Sequence, residues 1–281
     1  MYNYFSGWYF KCQSQQDTIA FIIATHQSKH QKNSSLQIIT NDKTWNVNFP
    51  FEALQKKKDV FHLKIKNNIL SDHGIEINLH TNDLSITGSV RFHSLSPLKY
   101  NIMGPFQYIP LMQCKHDVIS MKHYVDGELK INNKQYIFNN SLGYIEGDRG
   151  YSFPKQYAWT QCFFDNNSLM FSVADIPFGL FHFTGTIGII LYNNKEYRFA
   201  TYLGAKVVKK ENNEIIIKQQ DMIFKAQLIK KNALPLLAPT KGNMTRTIHE
   251  SITCLAYYSF IIKNHTVFSF QSSYASFEYE Y

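Results

Sequence analysis

Residues 118–139 read VISMKHYVDGELKINNKQYIFN. In an extended chain Ile119, Met121, His123 and Val125 fall on one face and the residues between them on the other. Asn132-Asn133-Lys134 has the chemistry of a tight hairpin turn, because asparagine tolerates a left-handed backbone, and 136–139 then resumes an apolar run. The same rhythm extends in both directions. Runs rich in Ile, Val, Phe, Tyr and Thr at 6–11, 18–24, 36–40, 45–49, 60–66, 75–79 and 84–92 form one series. Those at 118–125, 128–131, 136–139, 158–164, 169–173, 181–191, 196–203, 214–218 and 222–228 form a second, with a further hairpin turn at 192–195. Many short strands separated by Asn, Asp and Gly turns are the pattern of an all-β barrel or sandwich. Between the series lies 94–115, where Pro97, Pro105 and Pro110 predict an irregular connection. The expected division is an N-terminal β domain over 1–115 and a C-terminal β domain over 116–281. A second irregular stretch, 232–243, leads into 244–252, which reads as a short helix or another strand. The tail 256–281 ends in Tyr274, Phe277, Tyr279 and Tyr281, too aromatic for disorder, and is expected to pack as strands.

A chain of 281 residues buries about three quarters of its unfolded surface, so it needs no staple. Its four cysteines, Cys12, Cys114, Cys162 and Cys254, lie far apart without metal-ligand spacing. Free buried thiols in a reducing cytoplasm are the expectation, with no metal and no cofactor. No apolar run is long enough to span a bilayer and the first residues lack a secretory pattern, so a soluble protein is expected. The formal charge of +8 comes from scattered lysines among many asparagines, a composition an A+T-rich genome also produces. No helix or loop concentrates Lys and Arg beside exposed aromatics, which argues against a nucleic-acid partner but leaves peripheral contact with an anionic membrane open. The sequence does not specify an oligomeric state.

Chemistry concentrates in residues 143–162, GYIEGDRGYSFPKQYAWTQC. Glu146 and Asp148 are two apart and share a face if the segment is extended, beside Tyr144. Two carboxyls in one pocket repel, and burial can hold one protonated near neutrality, as a general acid requires. The competing reading is a Gly-Asp turn in which Arg149 pairs with one carboxylate. Tyr157, Trp159, Gln161 and Phe163 alternate onto one face of the next strand, as cavity wall or ordinary core. His123 points inward as an acid, a base or a satisfied core histidine. His26 and His30 have helical ligand spacing but sit in a segment that reads as a hairpin loop. Arg246 and Glu250, four apart, pair if their segment is helical and otherwise form an inter-domain clamp. Ser152 stands in no nucleophile elbow, Cys162 reads as a buried thiol, and no Gly-rich phosphate loop is present.

Three blocks of residues carry a family resemblance. The first is Met103-Gly-Pro-Phe106 with Met112-Gln-Cys114 and Ser120-Met-x-His123, and the second is the 143–162 segment. The third comprises Leu237-Ala-Pro239, Gly242-x-Met244-x-Arg246 and Glu250-Ser-Ile252, and Gly7-Trp8-Tyr9-Phe10 adds a softer match. In these the chain resembles the tocopherol cyclase family, whose wider relatives are carotenoid hydratase-like proteins built from two lipocalin-like (calycin-like) barrels. The resemblance implies a pair of such barrels around a cavity near their junction. It also implies a cofactor-free lyase or isomerase that protonates an alkene of an isoprenoid or other hydrophobic substrate, with cyclisation, hydration or isomerisation following. Glu146 or Asp148 would be the donor, with His123 as a further catalytic residue that, like Arg149, positions the oxygen. Tyr144, Tyr157, Trp159, Gln161 and Arg246 would bind substrate, with Tyr144, Tyr157 and Trp159 also stabilising the cation. Arg149 departs from the family pattern, since cyclases of photosynthetic organisms carry an aromatic residue there, and a cation at that point favours an oxyanion or carboxylate substrate over a carbocation. The alternatives are a non-catalytic carrier or sensor of a hydrophobic ligand, and an interaction protein docking through its aromatic tail.

Overall fold

The computed structural model describes residues 3–29, 31–110, 112–178 and 181–281. Among these there is no α-helix, and therefore none long and apolar enough to cross a membrane. Eleven strands form the first sheet: β1 (Tyr4–Gln13), β2 (Thr18–Gln27), β3 (Lys32–Ile39), β4 (Thr44–Pro50), β5 (Leu54–Lys56), β6 (His62–Ile65), β7 (Asn68–Ser71), β8 (Gly74–His80), β9 (Ser85–Phe92), β10 (Cys114–Ile131) and β11 (Lys134–Gly150). All pair antiparallel in the order β4-β3-β2-β1-β11-β10-β9-β8-β7-β6-β5, and a single 3-10 turn, Phe51–Ala53, joins the two edge strands, so the sheet curls into a nearly closed barrel. The second sheet holds β12 (Tyr157–Phe164), β13 (Asn167–Phe178), β14 (Phe181–Tyr192), β15 (Lys195–Ala200), β16 (Lys206–Glu211), β17 (Glu214–Gln219), β18 (Met222–Lys230), β20 (Asn243–Ile262) and β21 (His265–Tyr279), with β19 (Leu234–Thr240) paired to β20. The expected all-β, two-barrel architecture is what the chain adopts.

The chain changes sheet at 151–156, so the division expected near residue 115 falls inside the first sheet, between β9 and β10. The physical reason lies in the long β10–β11 hairpin. Its first strand continues the barrel beside β9, while β11 also pairs with β1 and closes the N-terminal strand into the sheet. The 143–162 segment therefore straddles both sheets, ending one and beginning the other. The 244–252 stretch is strand, within β20, and the tail is β21, hydrogen-bonded to both β12 and β20. Phe277 is fully buried there, so the tail is a core element and not a free docking segment. His26 lies in β2 and is buried, not in a loop; His30 lies outside the described residues. The four cysteines are free, as expected.

Three apolar clusters follow from strand alternation. One fills the first barrel around Phe10, Ile23, Leu36 and Leu129. A second fills the other barrel around Phe171, Phe199, Phe224 and Tyr258. The third lies between the sheets and contains Tyr9, Tyr144, Tyr157, Trp159 and Ile248. The irregular 94–113 stretch contributes Ile102 and Met103 to this interface and is fastened to β15, where Arg198 donates to the carbonyls of Tyr100 (2.9 Å) and Asn101 (3.1 Å).

Packing around Phe171 in the second barrel is tight. Phe171 and Phe224 stack with ring centroids 3.5 Å apart, and a Cβ on Gly188 would stand 2.1 Å from the Phe171 ring. Gly188→Ala is expected to cost about 1–3 kcal/mol by overpacking, read as a lower denaturation midpoint with an unchanged slope in urea.

Candidate active site

Cross-strand register assembles the site. On β1 the residues Phe5, Gly7 and Tyr9 face the second sheet, and their partners on β11 are Gly150, Asp148 and Glu146. His116 of β10 stands opposite Asp148. On the other side of β1 their partners are His26, Ala24 and Ile22 of β2. The second sheet supplies the facing wall: Tyr157 and Trp159 from β12, Thr186 and Ile187 from β14, Ile248 and Glu250 from β20, and Glu278 from β21. Met103, Phe106 and Met112 of the irregular stretch complete a mainly apolar cavity of about 160 Å³.

His116 is held between two carboxylates. Its Nδ1 lies 3.0 Å from Asp148 Oδ1, and its Nε2 lies 3.2 Å from Glu146 Oε2 as an ion pair without a directed hydrogen bond. Burial alone would depress the imidazole, but Asp148 and Glu146 outweigh that and raise it well above its ordinary 6.5, so it is the imidazolium. Glu146 Oε2 also accepts from the Tyr144 hydroxyl at 2.5 Å and the Trp159 indole N–H at 3.2 Å. Two hydrogen-bond donors and the imidazolium ion pair converge on that one oxygen. Asp148 is the more open of the pair, with 22% of its side chain exposed against 8% for Glu146. The ligand atoms of His116, Glu146 and Asp148 lie within 4.8 Å of one another, so this trio is also the group that could hold a divalent cation in competition with the imidazole proton.

Two further carboxyls face this trio. Glu250 is 1% exposed; burial, with the nearby Glu146, raises it to about 7 against the opposing hydrogen bond from Tyr9. The Tyr9 hydroxyl donates to its Oε1 at 2.9 Å, while Oε2 is buried with no hydrogen-bond partner among the described residues. Its cross-strand partner Glu278 accepts from the Tyr157 hydroxyl and is pushed well up by burial and by Glu250. Behind Tyr9 on the same face, Lys11 is wholly buried and donates to Gln161 Oε1 (2.9 Å) and Ser276 Oγ (2.8 Å). Burial lowers its ammonium to about 8, and the acidic neighbours, Glu250 among them, limit the fall.

The residues expected from sequence distribute as follows. Glu146, Asp148, Tyr157 and Trp159 come together on the cavity wall, and Tyr144 supports Glu146 from beneath. Gln161 is buried below the wall as the acceptor for Lys11. Arg149 is exposed on the opposite face of β11, the one Ile145 turns into the first barrel, one residue out of phase with Glu146 and Asp148, so its departure from the family pattern does not reach the cavity. Arg246 binds the carbonyls of Pro154 (2.7 Å) and Lys155 (2.9 Å) and the Glu280 carboxylate, outside the cavity. His123 is not at the site. Register shifts in β10 at Val118/Ser120 and Ser120/His123 break the alternation, so that its ring packs on Phe92 of the first barrel and contacts Gly143 while Nδ1 meets Ser120 Oγ at 3.0 Å. Sequence reading missed His116, Tyr9, Lys11 and Glu278 as site residues. The one local signal among them was Lys11, a lysine in phase with Gly7 and Tyr9 on an inward face.

No family model matches the chain, and no curated protein matches it in sequence. Solved structures do share its fold. CghA in complex with Sch210972 superposes with a TM-score of 0.63 at 7% identity, covering 98% of this chain and 88% of that one. Kievitone hydratase from Nectria haematococca gives 0.56 at 8% identity, with 99% and 89% covered. An AttH-type protein from Nitrosomonas europaea gives 0.53 at 10% identity, with 99% and 92% covered. Near-complete coverage in both directions shows that the whole two-sheet arrangement is shared.

His123 and His26 carry an acid sensitivity of the fold. Burial lowers His123 to about 3, with His93 adding to the fall, and burial lowers His26 to about 4. Both are neutral in the folded state while the unfolded chain binds protons from about 6.5 down, so their contribution is present above that pH and lost as pH falls toward the folded values. Unfolding free energy is expected to drop by roughly 1.4 kcal/mol per pH unit per histidine below pH 6. His123→Phe should remove about one proton from that slope in urea titrations at stepped pH.

Proposed function

We propose that the protein catalyses acid-initiated addition to a carbon–carbon double bond of a hydrophobic substrate in the cavity between the sheets, giving hydration or ring closure. The observation that carries this reading is Glu250: a buried carboxyl near neutrality, with one oxygen unpartnered, on the wall of an aromatic cavity. A protonated Glu250 delivers its proton from Oε2 to the alkene carbon, and the Tyr9 hydroxyl on Oε1 stabilises the carboxylate left behind. The cation that forms lies among the faces of Tyr9, Tyr157 and Trp159, with Tyr9 and Trp159 ring centroids 5.8 Å apart. A water or a substrate hydroxyl attacks it, the C–O bond forms, and Asp148 accepts the proton that oxygen loses. Glu146 fixes His116 and Trp159, and the His116 imidazolium offsets the carboxylate charge. Relative to the sequence expectation, the donor moves from the Glu146/Asp148 pair to Glu250 and the pair becomes acceptor and support. Tocopherol cyclase-like ring closure on an isoprenoid is the intramolecular form of this chemistry. That a protein named as a hydratase and another holding a small molecule share the fold supports the reading.

The test is to extract bound small molecules from the purified protein, identify them by mass spectrometry, and incubate each with fresh protein in D₂O. Deuterium on the former alkene carbon of a hydrated or cyclised product is the expected result. A ligand returned unaltered would make the protein a carrier. Glu250→Gln should lower kcat by about 10²–10⁴-fold with the fold intact. Since the donor acts protonated, kcat/KM should fall as pH rises through about 7.

A further inference from the structure

The polar groups of the cavity are not all at the proton-transfer end. His26 also lines it, is 3% exposed, and has its Nδ1 buried without a hydrogen-bond partner among the described residues. An imidazole nitrogen left unpaired in an apolar site costs about 1–3 kcal/mol, a deficit that a bound oxygen would remove. The other nitrogen, Nε2, lies 3.0 Å from Ser35 Oγ. Ser35 is 1% exposed and makes no other hydrogen bond through its hydroxyl among the described residues. If Nε2 donated to Ser35, the serine O–H would be orphaned as well. The arrangement that satisfies more groups has Ser35 O–H donating to Nε2, which places the imidazole proton on Nδ1. Burial keeps the ring neutral at physiological pH, its value lowered to about 4, so it offers a single N–H and no charge.

Position defines the ligand further. Asp148 pairs across β11 with Gly7, and Gly7 pairs across β1 with Ala24, two residues before His26 on β2. Two strand spacings and two residues of rise separate Asp148 from His26 by roughly 12 Å between Cα atoms. The floor between them is formed by Gly7 and Ala24 with the ring of Phe5, the cross-strand partner of His26, beside them, and all three line the cavity. A Cβ on Gly7 would come within 3.2 Å of Ala24 Cβ, so these two positions pack closely and the floor is low where they meet, with Phe5 bordering it. Flat apolar skeletons of two or three rings, or a folded isoprenoid of like length, span such a floor.

We infer that His26 is a second polar anchor of the cavity, donating from Nδ1 to a carbonyl or hydroxyl oxygen that the hydrophobic substrate carries roughly 10 Å from the double bond it presents to Glu250 and Asp148. The inference rests on the reading of this cavity as the substrate site, and it adds the substrate class: an oxygenated hydrophobic molecule, held at both ends.

The test compares 4-phenylcyclohexanone with phenylcyclohexane, which share a skeleton and differ by one acceptor oxygen. Calorimetric titration of the whole protein should show the ketone binding about tenfold more tightly, the worth of one net hydrogen bond. In His26→Leu that ratio should fall to about one, with hydrocarbon affinity held within twofold. In wild-type protein labelled with ¹⁵N at histidine, the His26 Nδ1 resonance should move with the ketone and not with the hydrocarbon, a readout that needs no variant to fold. A ketone preference retained in His26→Leu, or a His26 resonance unmoved by the ketone, overturns the inference and leaves the cavity and its Glu250 chemistry standing. Binding of neither probe by the wild-type protein overturns the substrate-site reading and the anchor together.

Discussion

The contact between the sheets depends on how buried charge is balanced. Glu146, Glu250, His116 and Lys11 are each less than a tenth exposed, and the partly exposed Glu278 and Asp148 stand at their edge. Isolated ions in that setting would cost several kcal/mol each. The structure meets the cost in two ways. Direct pairing serves His116 with Asp148 and Glu146, while proton retention serves Glu250 and Glu278, whose raised values leave fewer net charges to bury. Each of the three glutamates also receives an aromatic hydroxyl: Tyr144 to Glu146, Tyr9 to Glu250 and Tyr157 to Glu278. A tyrosine donates to a carboxylate and is apolar on every other side, which lets these groups sit inside a hydrophobic interface.

That balance also explains what could be read from the sequence. Alternation put Glu146 and Asp148 on one face, with Tyr157 and Trp159 on another, because register within a strand is a local property. It failed for His123, because β-bulges in β10 shift the phase: Val118 and Met121 pack between the sheets, while Ile119 and Val125 pack in the first barrel. Bulges leave little trace in residue type. Arg246 and Glu250 show a different limit. On a helix they would touch, but in strand β20 four residues span about 13 Å, so Arg246 reaches Glu280 and Glu250 reaches Tyr9. His116 reaches Asp148 only through the register of the long β10–β11 hairpin, and Glu250 and Glu278 become site residues only where the second sheet packs on the first, neither of which a local pattern records.

The division of labour across the sheets has a mechanical consequence. The proposed acceptor Asp148 and its imidazolium belong to the first sheet, and the proposed donor Glu250 belongs to the second, so the reacting geometry is set by whatever fixes one sheet against the other. Several ties do so in or beside the cavity, the Trp159 indole N–H on Glu146 among them. Tyr9 reaches Glu250, and Lys11 reaches Gln161 and Ser276. Gln37 exchanges two hydrogen bonds with the backbone of Leu237, and Arg198 holds the carbonyls of Tyr100 and Asn101 in the stretch that carries Met103 into the wall. Tyr9 is common to structure and chemistry, since the hydroxyl that joins the sheets is the one that stabilises the donor's carboxylate. A residue with both duties sets the donor's position and its acidity through one bond, so the register of β1 against β11 and β2 governs where the proton is held as directly as it governs where the cavity lies.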